Sequence, residues 1–302
     1  MFVLRTARDI AAARLGKPAS LILPETSLGG DAPAVLAQLF ARATGEMVRE
    51  QVIGHSGEAA ECEPRVEQLA GDDVASVSDA VTRAAVRLIV SSRLDVPTAE
   101  LEPGLNFAID LGADSLTRVD LVLLLEEALE VSVPDDSMFL VQTVGDAELF
   151  AVLFDRTREG VVMALGEAAR DLTFDTPLAR YGEAAPRVAL DAAARALVPE
   201  IALPDCGCQT LKDAVRLAFL AEKLRRALAL AAGVEPGSIS GAAVPERDLG
   251  LDEARTRAVL AELAASMDLG AARVEGGHAR PLIDTVRALA QATADSAGGA
   301  PR

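Results

Sequence analysis

The sequence has few aromatic residues, few cysteines and no long apolar run. Its 302 residues include no tryptophan and one tyrosine, although half of them are hydrophobic. A core without large aromatic side chains has to be built from alanine, leucine and valine, which favours small helical units. The three cysteines do not form a disulfide framework. No apolar run approaches the roughly 20 residues that a membrane-spanning helix needs, so we expect no transmembrane segment.

Basic side chains are outnumbered by acidic ones, 29 to 46, which leaves a formal net charge of −17. This charge argues against binding to nucleic acid or to an anionic membrane surface, and it favours basic protein partners. The first 16 residues lack an apolar signal core. They are rich in arginine, as transit peptides are, but Asp9 favours an ordinary helix. We therefore expect a cytoplasmic protein.

The sequence also lacks the residue patterns of an enzyme site. His55 and His278 lie in polar stretches without a serine or cysteine partner pattern, so they do not indicate a catalytic triad. Cys206 and Cys208 have no second cysteine pair and no nearby histidine, so they do not indicate a metal site. The glycine-rich strings do not match nucleotide-binding loops. We expect no catalytic residue, no bound metal and no enzymatic activity.

One stretch organises the chain, and it is a helix start with the sequence DLGADSL from Asp110 to Leu116. Asp114 or Ser115 can cap the helix by accepting hydrogen bonds from its first N–H groups. Gly112 permits a tight turn into the helix. Many helices begin with such residues, so the short motif alone indicates only a cap.

The segment from Asp114 to Asp136, DSLTRVDLVLLLEEALEVSVPDD, resembles the carrier-site helix of acyl carrier proteins along its whole length. In that family the serine of DSL carries covalent 4′-phosphopantetheine, whose terminal thiol holds an acyl group as a thioester. The resemblance implies that Ser115 is the attachment site, loaded from coenzyme A by a phosphopantetheinyl transferase. The first turn of a helix suits this role, because its free N–H groups and the helix dipole favour a phosphodiester.

The same resemblance assigns roles to the residues around Ser115. Gly112 and Asp114 would shape the loop. The recognition helix would meet basic surface patches on acyl-loading, condensing or acyl-transfer enzymes through Leu116, Val119, Asp120, Glu126 and Glu127. Residues 75–155 hold 15 acidic and 4 basic side chains, so most of the net charge lies here. Such charge mainly steers encounter with partners, although acidic residues also form ordinary solvated helix faces.

The carrier-site helix is preceded by a helix and a loop and followed by a short turn and a last helix. The same order of elements recurs along the chain, which predicts four tandem repeats. The segments Gln142–Ala147 and Gln209–Ala214, for example, echo each other as QTVGDA and QTLKDA. We place an acyl carrier domain at 76–155 and degenerate carrier-like repeats at 1–62, 156–221 and 222–292.

The serine is absent from three of these repeats. The alignment pairs Ser115 with Ala32, Ala185 and Glu253, and none of the three offers a hydroxyl group. In the fourth repeat the whole string from Asp248 to Glu253 aligns with the residues from Asp110 to Ser115. Only the second repeat should therefore carry an arm.

The segments between repeats carry few linker residues, which favours a packed array over flexibly tethered domains. We expect a long helix between Thr143 and Leu172 that is broken only near Gly160. The residues from Thr210 to Ala232 keep helical periodicity without glycine or proline, so they should form one helix that continues from the third repeat into the fourth. The tail from about Thr293 is expected to be disordered.

Five consecutive apolar residues, Leu121 to Leu125, lie inside the carrier-site helix. Successive helical residues are about 100° apart, so one core-facing stripe cannot bury all five. The remaining side chains would pack on a neighbouring repeat, shelter an acyl chain or contact a partner.

The expected fold is therefore all-α, a tandem series of four-helix-bundle repeats that resemble acyl carrier proteins. The function implied by the resemblance is to hold acyl intermediates on the arm at Ser115. The chain would shuttle them among enzymes of fatty-acid, polyketide or related lipid biosynthesis. The alternative is a carrier-like scaffold or regulator that binds such enzymes without transporting an acyl group.

Overall fold

The described secondary structure is helical. The computed structural model describes residues 2–23, 26–27, 35, 76–129, 140–166, 169, 171–267 and 277–298. Within these ranges there is no strand, and the only β pairing consists of isolated bridges. The helices are α1 (Phe2–Leu15), α2 (Val77–Leu94), α3 (Ser115–Leu129), α4 (Val144–Leu165), α5 (Ala185–Ala196), α6 (Leu211–Ala232), α7 (Pro245–Asp248), α8 (Glu253–Ser266) and α9 (Leu282–Gly298). The predicted all-α fold class is confirmed.

Reciprocal side-chain caps begin three of these helices. At α2, the amide of Asp79 donates to the Ser76 hydroxyl (3.2 Å) and the amide of Ser76 donates to the Asp79 carboxylate (2.8 Å). Thr143 and Asp146 form the same pair of bonds at the start of α4. So do Thr210 and Asp213 at the start of α6. Each cap satisfies two backbone N–H groups, which fixes where the helix starts.

Four of the helices, α1, α2, α4 and α6, end in a common way. The residue that follows each of them has a positive φ, and these residues are Gly16, Asp95, Gly166 and Gly233. This left-handed conformation closes the last helical turn. The sixth residue after each of these positions is almost fully buried, and these residues are Ile22, Leu101, Leu172 and Ile239. The chain therefore leaves each helix along a path that returns an apolar side chain to the core.

The chain divides into two compact units. The first comprises residues 1–131 and 143–152, and the second comprises residues 132–142 and 153–302. In the first unit, one core cluster joins α1 to α2 through Ile10, Ala11, Val77, Ala80 and Ala84.

Two buried ion pairs that share one glutamate also lie in the first unit. Arg83 and Arg87 of α2 both donate to the carboxylate of Glu148 on α4, and all three side chains are nearly inaccessible to solvent. They link two helices whose residues are more than 60 positions apart in sequence.

In the second unit, α6 packs against α5, α8 and α9. Arg225 of α6 is buried and holds the segment after α5, because its guanidinium donates to the carbonyl oxygens of Val198 and Pro199 (both 2.8 Å). The rings of Phe154 and Phe174 pack with their centroids 5.3 Å apart.

Helix boundaries test the expectations about the joining segments. The predicted continuous helix between Thr210 and Ala232 is confirmed. The predicted break near Gly160 is wrong, because α4 runs through this residue and ends before Gly166 instead. A single glycine costs a helix only about 1 kcal/mol, which packing offsets. The predicted disorder from Thr293 is also wrong as far as Gly298, where α9 ends.

The expectation that there is no transmembrane segment can be compared with the described helices. No helix within the described ranges is long and apolar enough to cross a membrane. Other residues named in the sequence analysis are not described by the structure. His55 and the residues from Leu28 to Ala32 lie outside the described residues, as does the segment 62–75.

Candidate functional site

The loop before α3 is held by its own side chains and backbone. Asn106 forms a β-bridge with Thr143, and its amide donates to the carboxylate of Asp110 (2.8 Å). The Asn106 side-chain oxygen accepts bonds from the amides of Ala108 and Ile109. These bonds stabilise the turn that leads to Gly112, where φ is +67° and a Cβ atom would meet nothing within 4 Å. Glycine is needed there for its backbone conformation, as the sequence predicted.

The end of the loop is anchored in the core next to Ser115. The amide of Ala113 donates to the carbonyl oxygen of Phe107 (2.7 Å), and both residues are buried. This anchor leaves the two following residues, Asp114 and Ser115, exposed at the start of α3. The loop thus presents the serine from a fixed backbone.

Asp114, and not Ser115, caps α3. Its carboxylate accepts from the amide of Thr117 (2.7 Å), and its carbonyl oxygen accepts from the amide of Arg118 (3.0 Å). The bond from the Thr117 amide lowers the pKa of Asp114 below its ordinary value. Asp114 is therefore the capping residue, and Ser115 is the first residue of α3. The side chain of Ser115 is exposed.

Exposed apolar side chains lie beside Ser115. Leu116 is 67% exposed, Leu123 is 55% exposed, and Val119 lies between them in the helical sequence at 40%. Positions 116, 119 and 123 follow the spacing of one helix face. Ile109 in the preceding loop is 83% exposed. The first unit therefore carries an apolar face next to the serine, which we call the α3 face.

The apolar run inside α3 divides as helical geometry requires. Leu121 and Leu125 are buried, one turn apart, whereas Leu123 and Leu124 are exposed. The run is therefore not buried as a whole, and half of its leucines remain available for contact.

The acidic residues expected to meet partners differ in their surroundings. Asp120 forms an ion pair with Arg93 of α2 (2.6 Å), and both side chains are 38% exposed. The sequence reasoning missed Arg93, because its partner lies 27 residues away and no local signal links them. The helix passes through Glu126 and Glu127, but their side chains lie outside the described positions.

A second loop repeats the backbone geometry of the first, with residue numbers higher by 138. The amide of Val244 donates to the carboxylate of Asp248 (2.8 Å), as Asn106 does to Asp110. The amide of Leu251 donates to the carbonyl oxygen of Pro245 (3.0 Å), as Ala113 does to Phe107. The match continues at Gly250, where φ is +64°. It continues at Asp252 as well, whose carboxylate accepts a capping bond from the backbone amide of Arg255 (2.8 Å).

The second loop differs from the first in its side chains. Glu253 begins α8 where Ser115 begins α3, and its carboxylate pairs with Arg257. The exposed residues Ala254, Arg257 and Ala261 occupy the positions that correspond to Leu116, Val119 and Leu123. The second loop therefore has neither a hydroxyl group nor an apolar face.

The third aligned position lies at a helix start as well. Helix α5 begins at Ala185, which is buried. A buried alanine offers no group for attachment.

The cysteines near α6 are not arranged as a metal site. Cys206 is exposed and Cys208 is buried. Burial raises the pKa of Cys208 to about 12, so its thiol stays protonated at neutral pH. In the described part of the chain, no group of three or more histidine, cysteine or acidic side chains is arranged to hold a metal ion.

Comparisons with known proteins match the region around Ser115. The family described as "Phosphopantetheine attachment site" matches residues 84–149. An acyl carrier protein from Prochlorococcus marinus (strain MIT 9515) is 48% identical over 62 residues, which cover 20% of this chain and 78% of that protein. No solved structure matches the chain significantly.

These matches indicate a carrier role and covalently bound 4′-phosphopantetheine as the cofactor. The residues present fit such a group, because an exposed serine stands at the first turn of a helix and the space beside Gly112 is open. Fold, loop and comparisons agree, and the chain belongs to the acyl carrier protein family.

Proposed function

We propose that the chain transports acyl groups as thioesters on a 4′-phosphopantetheine arm attached to Ser115. It would serve enzymes of fatty-acid, polyketide or related lipid biosynthesis in the cytoplasm. The observation that carries this proposal is the exposed Ser115 at the first position of α3, with Asp114 supplying the cap. A cap formed by Ser115 itself would engage its hydroxyl group.

In this function the chain binds and presents, and other proteins catalyse. The arm supplies the terminal thiol that forms the thioester. The loop holds Ser115 in place, and the free N–H groups of the first turn stabilise the charge of the phosphodiester. The ion pair between Asp120 and Arg93 ties the attachment helix to α2. We therefore propose no catalytic residue in the chain.

The function is tested by the intact mass of the folded wild-type protein after incubation with coenzyme A and a broad-specificity phosphopantetheinyl transferase. We expect the addition of one phosphopantetheine group. A folded protein that accepts none would rule out transport and favour the scaffold.

The α3 face is the proposed contact for the transferase and for acyl-handling enzymes with basic patches. Its exposed side chains include Leu116 and Val119, and the acidic residues that the family resemblance assigns to the same contact are Asp120, Glu126 and Glu127. Apolar contact would supply binding energy, and the charges would steer the encounter.

Replacing Leu116 with glutamine should lower kcat/KM for loading by roughly tenfold, because the lost apolar contact is worth about 1.4 kcal/mol. Leu116 is mostly exposed, so the melting temperature should hardly change. Ala254→Gln is the matched control at the corresponding position of α8, and it should load like the wild type. Equal loading by both variants would exclude Leu116 from the contact.

The second loop does not extend the carrier-like surface beyond α3. A scaffold would therefore bind enzymes through the α3 face alone, so the loading of Ser115 is what separates it from a transporting carrier. Helix α8 lacks the exposed apolar side chains of α3, and its first residue is paired with Arg257. Partners that bind the α3 face would find no equivalent there.

The four-repeat organisation remains our proposal, with boundaries at 1–62, 76–155, 156–221 and 222–292. Its main support is the hydrogen-bond pattern shared by the loops at Asp110 and Asp248. Three helices also begin at aligned residues, which are Ser115, Ala185 and Glu253. The serine-less repeats would then be degenerate carrier domains with a structural role.

A Glu253→Ser variant tests which features make a repeat a substrate of the transferase. The substitution restores a hydroxyl group at the start of α8, but the helix still lacks an apolar face. We expect mass spectrometry to show a single phosphopantetheine, on Ser115. A second addition would mean that the loop backbone and a serine are sufficient.

A further inference from the structure

We propose that helix α2 belongs to two successive repeats at once, as the last helix of the first repeat and the first helix of the serine-bearing repeat. The first repeat is then a structural part of the carrier and not a separate domain tethered to it. This inference rests on the contacts of α2 and does not require that Ser115 be modified.

The sequence at the start of α2 is that of a closing helix. Ser76-Val77-Ser78-Asp79-Ala80 follows the same pattern as Thr143-Val144-Gly145-Asp146-Ala147 and Thr210-Leu211-Lys212-Asp213-Ala214. The first residues of these segments are 67 positions apart in both intervals. Thr143 caps α4, the helix in which the family match ends, so Ser76 would occupy the same closing position in the preceding repeat.

Backbone pairing places Ser76 in the same way. Each of the three capping residues forms an isolated antiparallel bridge with the loop of the repeat that its helix closes, and the pairs are Ser27 with Ser76, Asn106 with Thr143, and Pro177 with Thr210. The next amide of α2, that of Val77, donates to the carbonyl oxygen of Thr26 (3.2 Å), as the amide of Val144 donates to Leu105 (3.1 Å). The first turn of α2 is therefore bound to the segment that follows α1.

The buried side chains of α2 divide between the two repeats. Val77, Ala80 and Ala84 are fully buried in one cluster with Ile10 and Ile22. The match to the phosphopantetheine family begins only at residue 84, so the first two turns of α2 lie outside it. Within these turns, Val77 and Ala80 are buried by residues of the first repeat.

Other side chains of α2 contact the helices of the serine-bearing repeat. Arg83 and Arg87 bind Glu148 of α4, and Arg93 binds Asp120 of the attachment helix. One helix of 18 residues thus connects the core of the first repeat to the helix that presents Ser115. A helix of this length is marginal in water without tertiary packing, so loss of the packing at its beginning should also weaken its remaining turns.

The arrangement predicts that a cavity in the first repeat destabilises the carrier. Ile22→Ala in the full-length chain removes an almost fully buried side chain that packs in the cluster of α2. We expect amide hydrogen exchange in residues 77–90 to become at least about tenfold faster, and exchange in the α4 residues 144–152 to rise with it.

Ile239→Ala is the matched control, because Ile239 is equally buried and holds the corresponding place after α6. It should leave exchange in residues 77–90 unchanged. If Ile22→Ala speeds exchange only in residues 2–23, α2 is not shared and the inference is wrong. Should Ile22→Ala unfold the chain, the milder Ile22→Val variant supplies the same comparison, with exchange increased in the same segments.

Loading with phosphopantetheine, measured on the same samples, separates this inference from the proposed function. Coupled exchange without loading would overturn the carrier function and leave the shared helix intact. Loading of a protein in which Ile22→Ala leaves exchange in residues 77–90 unchanged would support the carrier function and overturn the shared helix.

Discussion

Replacing Ser115 with alanine is expected to abolish loading completely, with no phosphopantetheine detected on a protein that stays folded. The substitution removes the oxygen atom to which the phosphate would be bound, and the other aligned positions offer no substitute hydroxyl group. Stability should change by less than about 0.5 kcal/mol, because Ser115 is exposed and the helix cap belongs to Asp114. The effect is therefore all-or-none for loading and close to zero for the fold.

The measurement is the intact mass after incubation with coenzyme A and transferase, with circular dichroism of the same sample. Ser92→Ala is the matched control, since it removes an exposed helical serine of α2 from the same unit. The control should load like the wild type. Phosphopantetheine on the Ser115→Ala variant would mean that the attachment site has been misassigned. Two groups on the wild type would contradict the account of the serine-less repeats.

The local structure around Ser115, the proposed attachment site, could be predicted from the sequence. Asp114 and Gly112 act within a few residues of Ser115, through a cap and a left-handed turn, and both have strong residue preferences. The start of α3 was therefore placed correctly, and the segment from Thr210 to Ala232 was correctly predicted to be one helix.

Contacts between distant residues could not be predicted in this way. The pairing of Arg93 with Asp120, and that of Arg83 and Arg87 with Glu148, join residues on different helices. The sequence does not show which charged residue pairs with which, and most charged residues of helices face solvent. The three arginine side chains are buried to different degrees, because Arg83 and Arg87 face α4 whereas Arg93 faces α3. Which neighbours α2 has is determined by the fold.

One missed feature did carry a sequence signal. The string SVSDA at Ser76 has the same pattern as the two segments recognised as echoes, TVGDA and TLKDA. The boundary placed at residue 76 assigns this string only to the beginning of the serine-bearing repeat, although the segment from Thr210 to Ala232 was predicted to cross a repeat boundary as one helix. The shared helix proposed above applies the same interpretation to α2.

Removing the carboxylate of Glu148 is expected to have the largest effect on stability. Glu148 is fully buried, and both Arg83 and Arg87 donate to it. Glu148→Ala would leave two buried guanidinium groups without this counter-charge, which typically costs about 3–5 kcal/mol when one partner of a buried pair is lost. For a carrier unit of ordinary stability this is a large part of the free energy of unfolding.

Urea unfolding followed by circular dichroism measures this loss, and Asp284→Ala is the control. Asp284 pairs with Arg287 on the surface of α9, so its removal should cost at most about 1 kcal/mol. Glu148→Gln keeps the shape and one acceptor oxygen, and it should fall between the two. A loss below about 1 kcal/mol for Glu148→Ala would mean that water reaches the arginines.

The consequence for the carrier follows from where the buried ion pairs lie. Glu148 is on α4, and its partners are on α2, which also contacts Asp120 of α3 through Arg93. Glu148→Ala should therefore reduce the folded fraction that the transferase can load, and loading should recover at low temperature or in stabilising salt. Ser115→Ala should not recover under any condition. This difference in recovery distinguishes loss of the folded structure that presents the serine from loss of the serine itself.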